Sequence, residues 1–459
     1  MTTTTPSSAT IDGPSGREAL RLARGLAGDP LPVLRELHER WGDVSQMRLP
    51  GATLAFLFHP DDIEHVVVGH ARDVDKGRIL KQLRPLMGLH LFTLEGAEHA
   101  RRRKIASGVF RPRDLPPKVA PVVDAVTAMV ASWPADAPID VLAELDLLVI
   151  SAVGGGLFGR SIESEAPRIQ ELVHELYGYL PWATSPQFAI TGRLPLPRTR
   201  RMLRRRRALT AIVESLAREA QARIEAGDTE RGDVATLLLQ AHDETVDGAS
   251  RLSFEQVVDE LAGLLVAAHE GVALTVTWAL HELAAQPELR ARAEAEVDRV
   301  LQDGRSVVPA DLRELPLLRA IVDESVRTYG STMLIRGLQV PVELPSGARL
   351  ERGWQVICGM YQVHRDPRWW REPERFDPSR FEPEAGDRPR FAYFPFGGGR
   401  RTCIGSHLGL QTCMVMLAQL LRDFRLERVD DEPIGVYSQV LVRPTRPILM
   451  RATARTPAG

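Results

Sequence analysis

Three cysteines occur in the 459-residue chain, Cys358, Cys403 and Cys413, and one of them sits where its sulfur could do chemistry. Cys403 falls near the end of the run Phe394-Pro395-Phe396-Gly397-Gly398-Gly399-Arg400-Arg401-Thr402-Cys403-Ile404-Gly405. The glycines permit tight turns and a close approach of backbone to a bulky planar group. A helical pattern starts at Ser406, so Cys403 lies at a helix N-terminus, where free N–H groups favour thiolate over thiol. Arg401 adds positive charge suited to an anionic partner. Taken alone, such a loop also fits a buried structural cysteine, or a cysteine nucleophile for which no particular histidine stands out as base. An odd number of cysteines without CxxC spacing argues against a disulfide framework or a tetrahedral zinc site, and fits a reducing compartment.

Three other groupings carry charge at useful spacing. In Glu324-Ser325-Val326-Arg327 the acid and the base are three apart, so a helix puts them on one face as a pair. An exposed pair of this kind is worth little. His99 and Arg103 are four apart in His99-Ala100-Arg101-Arg102-Arg103, again on one helical face, while Arg101, Arg102 and Lys104 suit a basic surface. Ala267-Ala268-His269-Glu270-Gly271-Val272 sets an acid among small residues in the middle of the longest apolar segment. Gly271 costs a helix interior roughly 1 kcal/mol relative to alanine. Drift and a need for space explain it equally well.

The spacing of Phe396, Gly399, Arg401, Cys403 and Gly405 resembles the haem-binding signature of cytochromes P-450. The likeness continues through four further motifs in the family's order, from about residue 30 onward. It implies a mainly α, single large domain with small β-sheets, holding haem b between the long central helix and the cysteine loop. Cys403 would be the axial iron ligand. His99, Arg103, Arg336 and Arg401 would hold the haem propionates, because buried carboxylates need paired cations. Glu324 and Arg327 would form a structural cluster completed by Arg375 of Pro373-Glu374-Arg375-Phe376. Gly330 and Ser331 stand where the family usually has prolines, so the local loop is expected to differ. The family usually shows small–Gly–x–acid–Thr in the central helix. Here Glu270 keeps the acid, Ala268 replaces the glycine and Gly271 replaces the threonine, with Thr275 one turn on. Glu270 is therefore the expected proton donor to bound dioxygen, beside a distal pocket enlarged at Gly271. Segments 74–95, 267–271, 331–334 and 437–441 would line the substrate pocket, mainly through Met87, Leu91, Phe92, Ala267, Ala268, Met333, Leu334, Tyr437 and Val440.

The activity so implied is a monooxygenase acting on a lipophilic small molecule of secondary metabolism, such as a terpenoid, polyketide or prenylated aromatic. It would use O2 and two electrons. No flavin or nicotinamide domain is visible, so electrons are expected from a separate ferredoxin and its reductase, docked near Arg101, Arg102 and Arg400. Gly271 motivates an alternative, haem-thiolate chemistry of another class: nitrene-type transfer, dehydration, rearrangement or peroxide-driven reaction. A haem sensor or carrier is a third reading, disfavoured because no effector segment is recognisable.

The elements that must position these residues are mostly helices. The composition, 44% hydrophobic and 26% charged, is that of a globular protein with a large core. A net charge of −2 gives no general attraction to nucleic acid or an anionic membrane. Residues 1–16 are rich in Thr, Ser, Pro and Gly without an apolar run. They read as a disordered tail rather than a signal peptide or membrane anchor, ahead of a catalytic domain over 17–459 in a cytoplasmic protein. Helical patterns cover 29–41, 99–110, 121–132, 139–155, a stretch from 198, 254–285, 288–301, 312–328 and 406–424. The arginine run 204–207 reads as a solvated helix face. Strands are expected near 45–49, 53–58, 336–344 and 356–360, a closing strand pair at 440–450, and a long loop with one short helix at 74–95. The 254–285 pattern is apolar on most faces, which predicts a buried helix.

Overall fold

The computed structural model describes residues 11–111, 114–133, 137–185, 187–243, 250–382 and 386–455. Its axis is the helix Phe254–Ala285, the segment whose periodicity predicted it. Ser253 starts it with a capping box: the Ser253 hydroxyl accepts from the Gln256 amide at 3.2 Å, and the Gln256 side chain accepts from the Ser253 amide at 3.0 Å. Pro287 forces a new helix, Pro287–Val300. The helix Val141–Phe158 packs along the central one; Asp140 caps its start and Gly159, at φ 67°, ends it. Both helices are long and apolar enough to cross a bilayer, but most of each is buried among other helices, as core helices are.

Two apolar clusters meet along the central helix. Its second half, Val272 to Leu283, packs with helices Pro116–Ala131, Pro316–Tyr329 and Ser406–Asp423. Its first half, through Leu261 and Leu265, packs with Ala166–Tyr177 and Pro197–Glu225. Leu408 touches both clusters, so the start of the Ser406–Asp423 helix lies at their junction.

Beside the helices a five-stranded sheet runs in the order Val44–Leu49, Ala52–Leu57, Gln355–Cys358, Leu334–Leu338, Val74–Asp75. Gln355–Cys358 pairs parallel with Ala52–Leu57 and antiparallel with Leu334–Leu338. Three expectations are corrected. The tail expected through residue 16 is ordered from Ile11: Ile11 is buried, the Gln46 amide donates to Asp12 at 2.9 Å, and helix Gly16–Gly28 begins at once. Of the remaining tail, residues 1–10 lie outside the described residues. The 74–95 loop contributes the edge strand Val74–Asp75 and two short helices, Gly77–Lys81 and Arg84–Met87. The closing strand pair divides between two sheets. Val442–Pro444 pairs with Val436–Ser438, whereas Leu449–Ala454 pairs with Phe424–Arg428.

Candidate functional site

The cysteine loop is held by its glycines. Gly397 and Gly399 have φ of 69° and 63°, and a Cβ on Gly399 would lie 2.4 Å from the Val67 carbonyl oxygen. The Cys403 amide donates to Phe396 at 2.9 Å and closes the loop. Cys403 is accessible to solvent, whereas Cys358 and Cys413 are buried. The protein around the sulfur still raises its pKa by burial, opposed by the Gly405 N–H and the charges of Arg103 and Lys76. A Cβ on Gly405 would meet nothing within 4 Å.

A concentration of positive charge surrounds this opening. His99 and Arg103 lie on helix Gly96–Val109, Arg336 on the strand Leu334–Leu338, and Arg401 in the loop itself. Burial, then Arg401, Lys76, Arg103 and Arg400, pushes His99 down to about 4. Burial, then Arg336 and Arg401, pushes Lys76 down to about 7. Arg336 falls to about 10, chiefly by burial, with Arg401 adding to the effect. Glu95 offsets part of this: it pairs with Arg401 and accepts from the Lys76 amide at 2.7 Å. A group carrying two carboxylates would relieve the remaining repulsion, so these residues fit haem propionates facing a cysteine ligand. Sequence reasoning missed Lys76. Its only signal was rarity, as one of four lysines among 58 basic residues.

Arg102 corrects an expectation. It is buried, bound to Glu98 at 2.6 Å, Glu260 at 3.1 Å and the Leu89 carbonyl at 3.0 Å, and presents no charge to a docking partner. Glu260 also accepts from the Leu91 amide at 3.0 Å, fastening the Met87–Phe92 loop to the central helix. Gly263 allows this approach, because a Cβ there would lie 2.4 Å from the His90 ring.

Midway along its length, the central helix changes character. Val257 to Leu265 and Val272 to Leu283 are largely buried, but Ala267 is exposed and Ala268 and Gly271 are half-buried. One face of a core helix is thus open at Ala267 and Gly271. A Cβ on Gly271 would meet only Leu441, at 3.9 Å. Thr275 supplies no substitute hydroxyl to that face, since it donates to the Gly271 carbonyl at 2.7 Å. Glu270 is turned toward Arg443, 2.5 Å away on the Val442–Pro444 strand.

The other pocket candidates are spread over several elements. Met87 and Leu91 pack on the cluster of the central helix's first half. Met333 packs on the sheet's other face, and Leu334 lies 3.6 Å from where a Gly397 Cβ would be. The 331–334 segment is tied to the 438–442 hairpin, with the Thr332 amide donating to Val440 at 3.2 Å. Tyr437 is half-buried, while Val440 and Phe92 remain exposed.

The scaffold pair is fully enclosed. Arg327 donates to Glu324 at 2.6 and 2.8 Å, and to the His364 carbonyl at 2.7 Å. The third member is Arg380, whose Nε donates to Glu324 at 3.3 Å, and not Arg375. The Arg375 side chain is 66% exposed and lies 3.8 Å from Glu372. Only its carbonyl faces the cluster, accepting from Arg327 and Arg380 at 3.4 and 3.3 Å. The chain turns at Glu372, φ 45°, and returns Arg380 rather than Arg375 to the buried acid.

Comparison with known proteins agrees with this geometry. Residues 19–451 match the Cytochrome P-450 family. Cyclooctat-9-en-7-ol 5-monooxygenase of Streptomyces melanosporofaciens is 31% identical over 87% of this chain and 86% of its own length. Pentalenene oxygenase of Streptomyces avermitilis is 28% identical over 91% of each chain. The structure of retinoic acid-bound cyanobacterial CYP120A1 superposes with a TM-score of 0.80 at 22% identity, covering 92% of this chain and 94% of that one. The fold is the mainly helical cytochrome P-450 fold, and the chain belongs to the cytochrome P-450 family of oxidoreductases.

Proposed function

We propose that this protein is a haem-thiolate monooxygenase that hydroxylates a lipophilic terpenoid-class molecule in secondary metabolism. One observation carries the reading: an accessible cysteine lies among cations in a glycine-shaped loop, and a largely buried central helix opens at Ala267 and Gly271. In this reading Cys403 ligates haem b, and His99, Arg103, Arg336 and Arg401 hold its carboxylates, joined by Lys76. When bound, haem b supplies dioxygen reduction and oxygen-atom insertion.

The remaining work falls to the chain. Phe396, Gly399 and Gly405 shape the loop beneath the sulfur. Met87 and Leu91, packed on the cluster of the central helix's first half, and Leu334, beside the cysteine loop, present apolar side chains that orient the substrate and exclude water. Glu270 passes protons toward the open face, and its ion pair with Arg443 fixes where the carboxylate starts. Gly271 provides no hydroxyl there, and the Thr275 hydroxyl is engaged. A hydroxyl on the substrate takes that place. The name of the relative acting on cyclooctat-9-en-7-ol, itself an alcohol, supports this part. Electrons come from a separate ferredoxin and reductase, docking on the cysteine side where Arg400 is exposed. Three free cysteines support a cytoplasmic location.

The open glycine also supports a second reading, haem-thiolate chemistry that does not use dioxygen. One experiment separates them. The haem-loaded protein, supplied with ferredoxin, ferredoxin reductase and NADPH, is incubated with a panel of polycyclic terpenes and terpene alcohols, with and without 18O2, and products are analysed by mass spectrometry. Product carrying the label and formed only with oxygen is expected. An unlabelled product formed without oxygen would overturn the monooxygenase reading in favour of the second.

A further inference from the structure

Next to Glu270, on the outer side of the central helix, lies a cluster that the reaction above does not use. His269 is 1% exposed, and its Nδ1 lies 3.0 Å from the Val266 carbonyl. A carbonyl only accepts, so Nδ1 carries the proton and Nε2 is left with its lone pair. That Nε2 has no hydrogen-bond partner, and it points at the buried carboxylate of Asp146, 3.6 Å away. A lone pair facing an anion inside a protein is repulsive unless something positive stands between them.

The third member supplies access. His174 is 45% exposed, and its Nε2 lies 2.7 Å from the other Asp146 oxygen, which Gln170 also holds at 3.1 Å. The three ligand atoms lie within 4.8 Å of one another. Zinc bonds of about 2.0–2.1 Å put tetrahedral neighbours roughly 3.3 Å apart, so the exposed His174 ring has only a short distance to close. The Val266 carbonyl that fixes His269 is the kind of outer partner that orients metal-bound imidazoles. A second His–Asp cluster, His38, Asp43 and Asp366, differs in this respect: the Arg368 guanidinium binds both carboxylates at 2.5–3.0 Å. Among the described residues, the structure records no lysine or arginine at the Asp146 carboxylate, which faces the two histidines.

We propose that Asp146, His174 and His269 bind a divalent transition-metal ion of the zinc class, with solvent completing the coordination at the exposed side. The ion joins three helices, Val141–Phe158, Ala166–Tyr177 and the central helix. Tyr177 donates to the same Val266 carbonyl at 3.1 Å and stacks on His269, so occupancy pins the helix covering the central one beside Glu270.

The test uses the tag-free, haem-loaded protein dialysed against ZnCl2, with zinc and iron counted together by mass spectrometry. One zinc per chain is expected, together with a zinc-dependent rise in melting temperature. His174→Ala and His269→Gln are expected to weaken zinc binding by about tenfold or more. His70→Ala, altering another accessible histidine, is expected to leave it unchanged. His174 is exposed, so its variant remains informative even if His269→Gln fails to fold. Zinc bound equally by parent and His174→Ala, or no zinc retained by the parent, overturns the proposal.

Discussion

At the scale of single residues, the site rests on one sulfur and one missing side chain. Cys403→Ser removes the soft ligand while the loop's glycines still hold its shape, so a folded protein is expected that no longer gives the Soret band of thiolate-ligated, reduced, carbon monoxide-bound haem. An unchanged band would move the ligand elsewhere. Gly271→Thr has room, since only Leu441 stands within 4 Å of the new Cβ. Helix propensity favours the change slightly, by a few tenths of a kcal/mol. If oxygen activation lacks a hydroxyl there, the variant is expected to convert several-fold more of its reductant into product; equal or poorer coupling would mean the open space itself serves the chemistry. Both residues were legible in the sequence because their spacing is local. Lys76 was not, because it reaches the site only through the fold, with its ammonium 4.1 Å over the Phe92 ring.

At the scale of elements, the periodic segments were the readable ones. The central helix follows its apolar pattern residue for residue, because capping and burial agree there. The scaffold cluster shows where legibility ends. Glu324 and Arg327 are set by helix spacing, but their third partner depends on a loop turning in three dimensions, and a sequence motif pointed to Arg375. The structure gives Arg380 that position. This predicts a clear contrast. Arg380→Ala leaves the fully enclosed Glu324 short of a cation, and breaking a buried ion pair costs roughly 3–5 kcal/mol. Arg375→Ala, an exposed change, is expected within about 0.5 kcal/mol of the parent. Urea unfolding of the two variants decides it, and the reverse order would return Arg375 to the cluster.

At the scale of the whole molecule, one histidine links the scaffold to the cysteine loop. The His364 carbonyl accepts from Arg327, while its Nε2 accepts from the Phe394 amide at 3.1 Å, two elements with no signature in common. Accepting that bond requires a neutral ring. Burial, then Arg327 and Arg365, pushes the His364 pKa down to about 3. In the unfolded chain the same ring titrates near 6.5. Between these values the unfolded state takes up a proton that the folded state refuses, so stability is full above about pH 6.5 and falls as the pH drops toward 3. The slope from this one group is about 1.4 kcal/mol per pH unit. His90 and His281, both lowered to about 4 mainly by burial, add to the loss over a shorter range. His364→Gln retains a side-chain oxygen that can accept from Phe394 but cannot titrate. The variant is expected to start less stable at pH 7.5 and to lose stability more slowly on acidification. Its unfolding curve therefore approaches the parent's as pH falls, and thiolate-type absorbance disappears with unfolding in both. Parallel curves from pH 7.5 to 4 would mean that the acid sensitivity of the cysteine loop lies elsewhere.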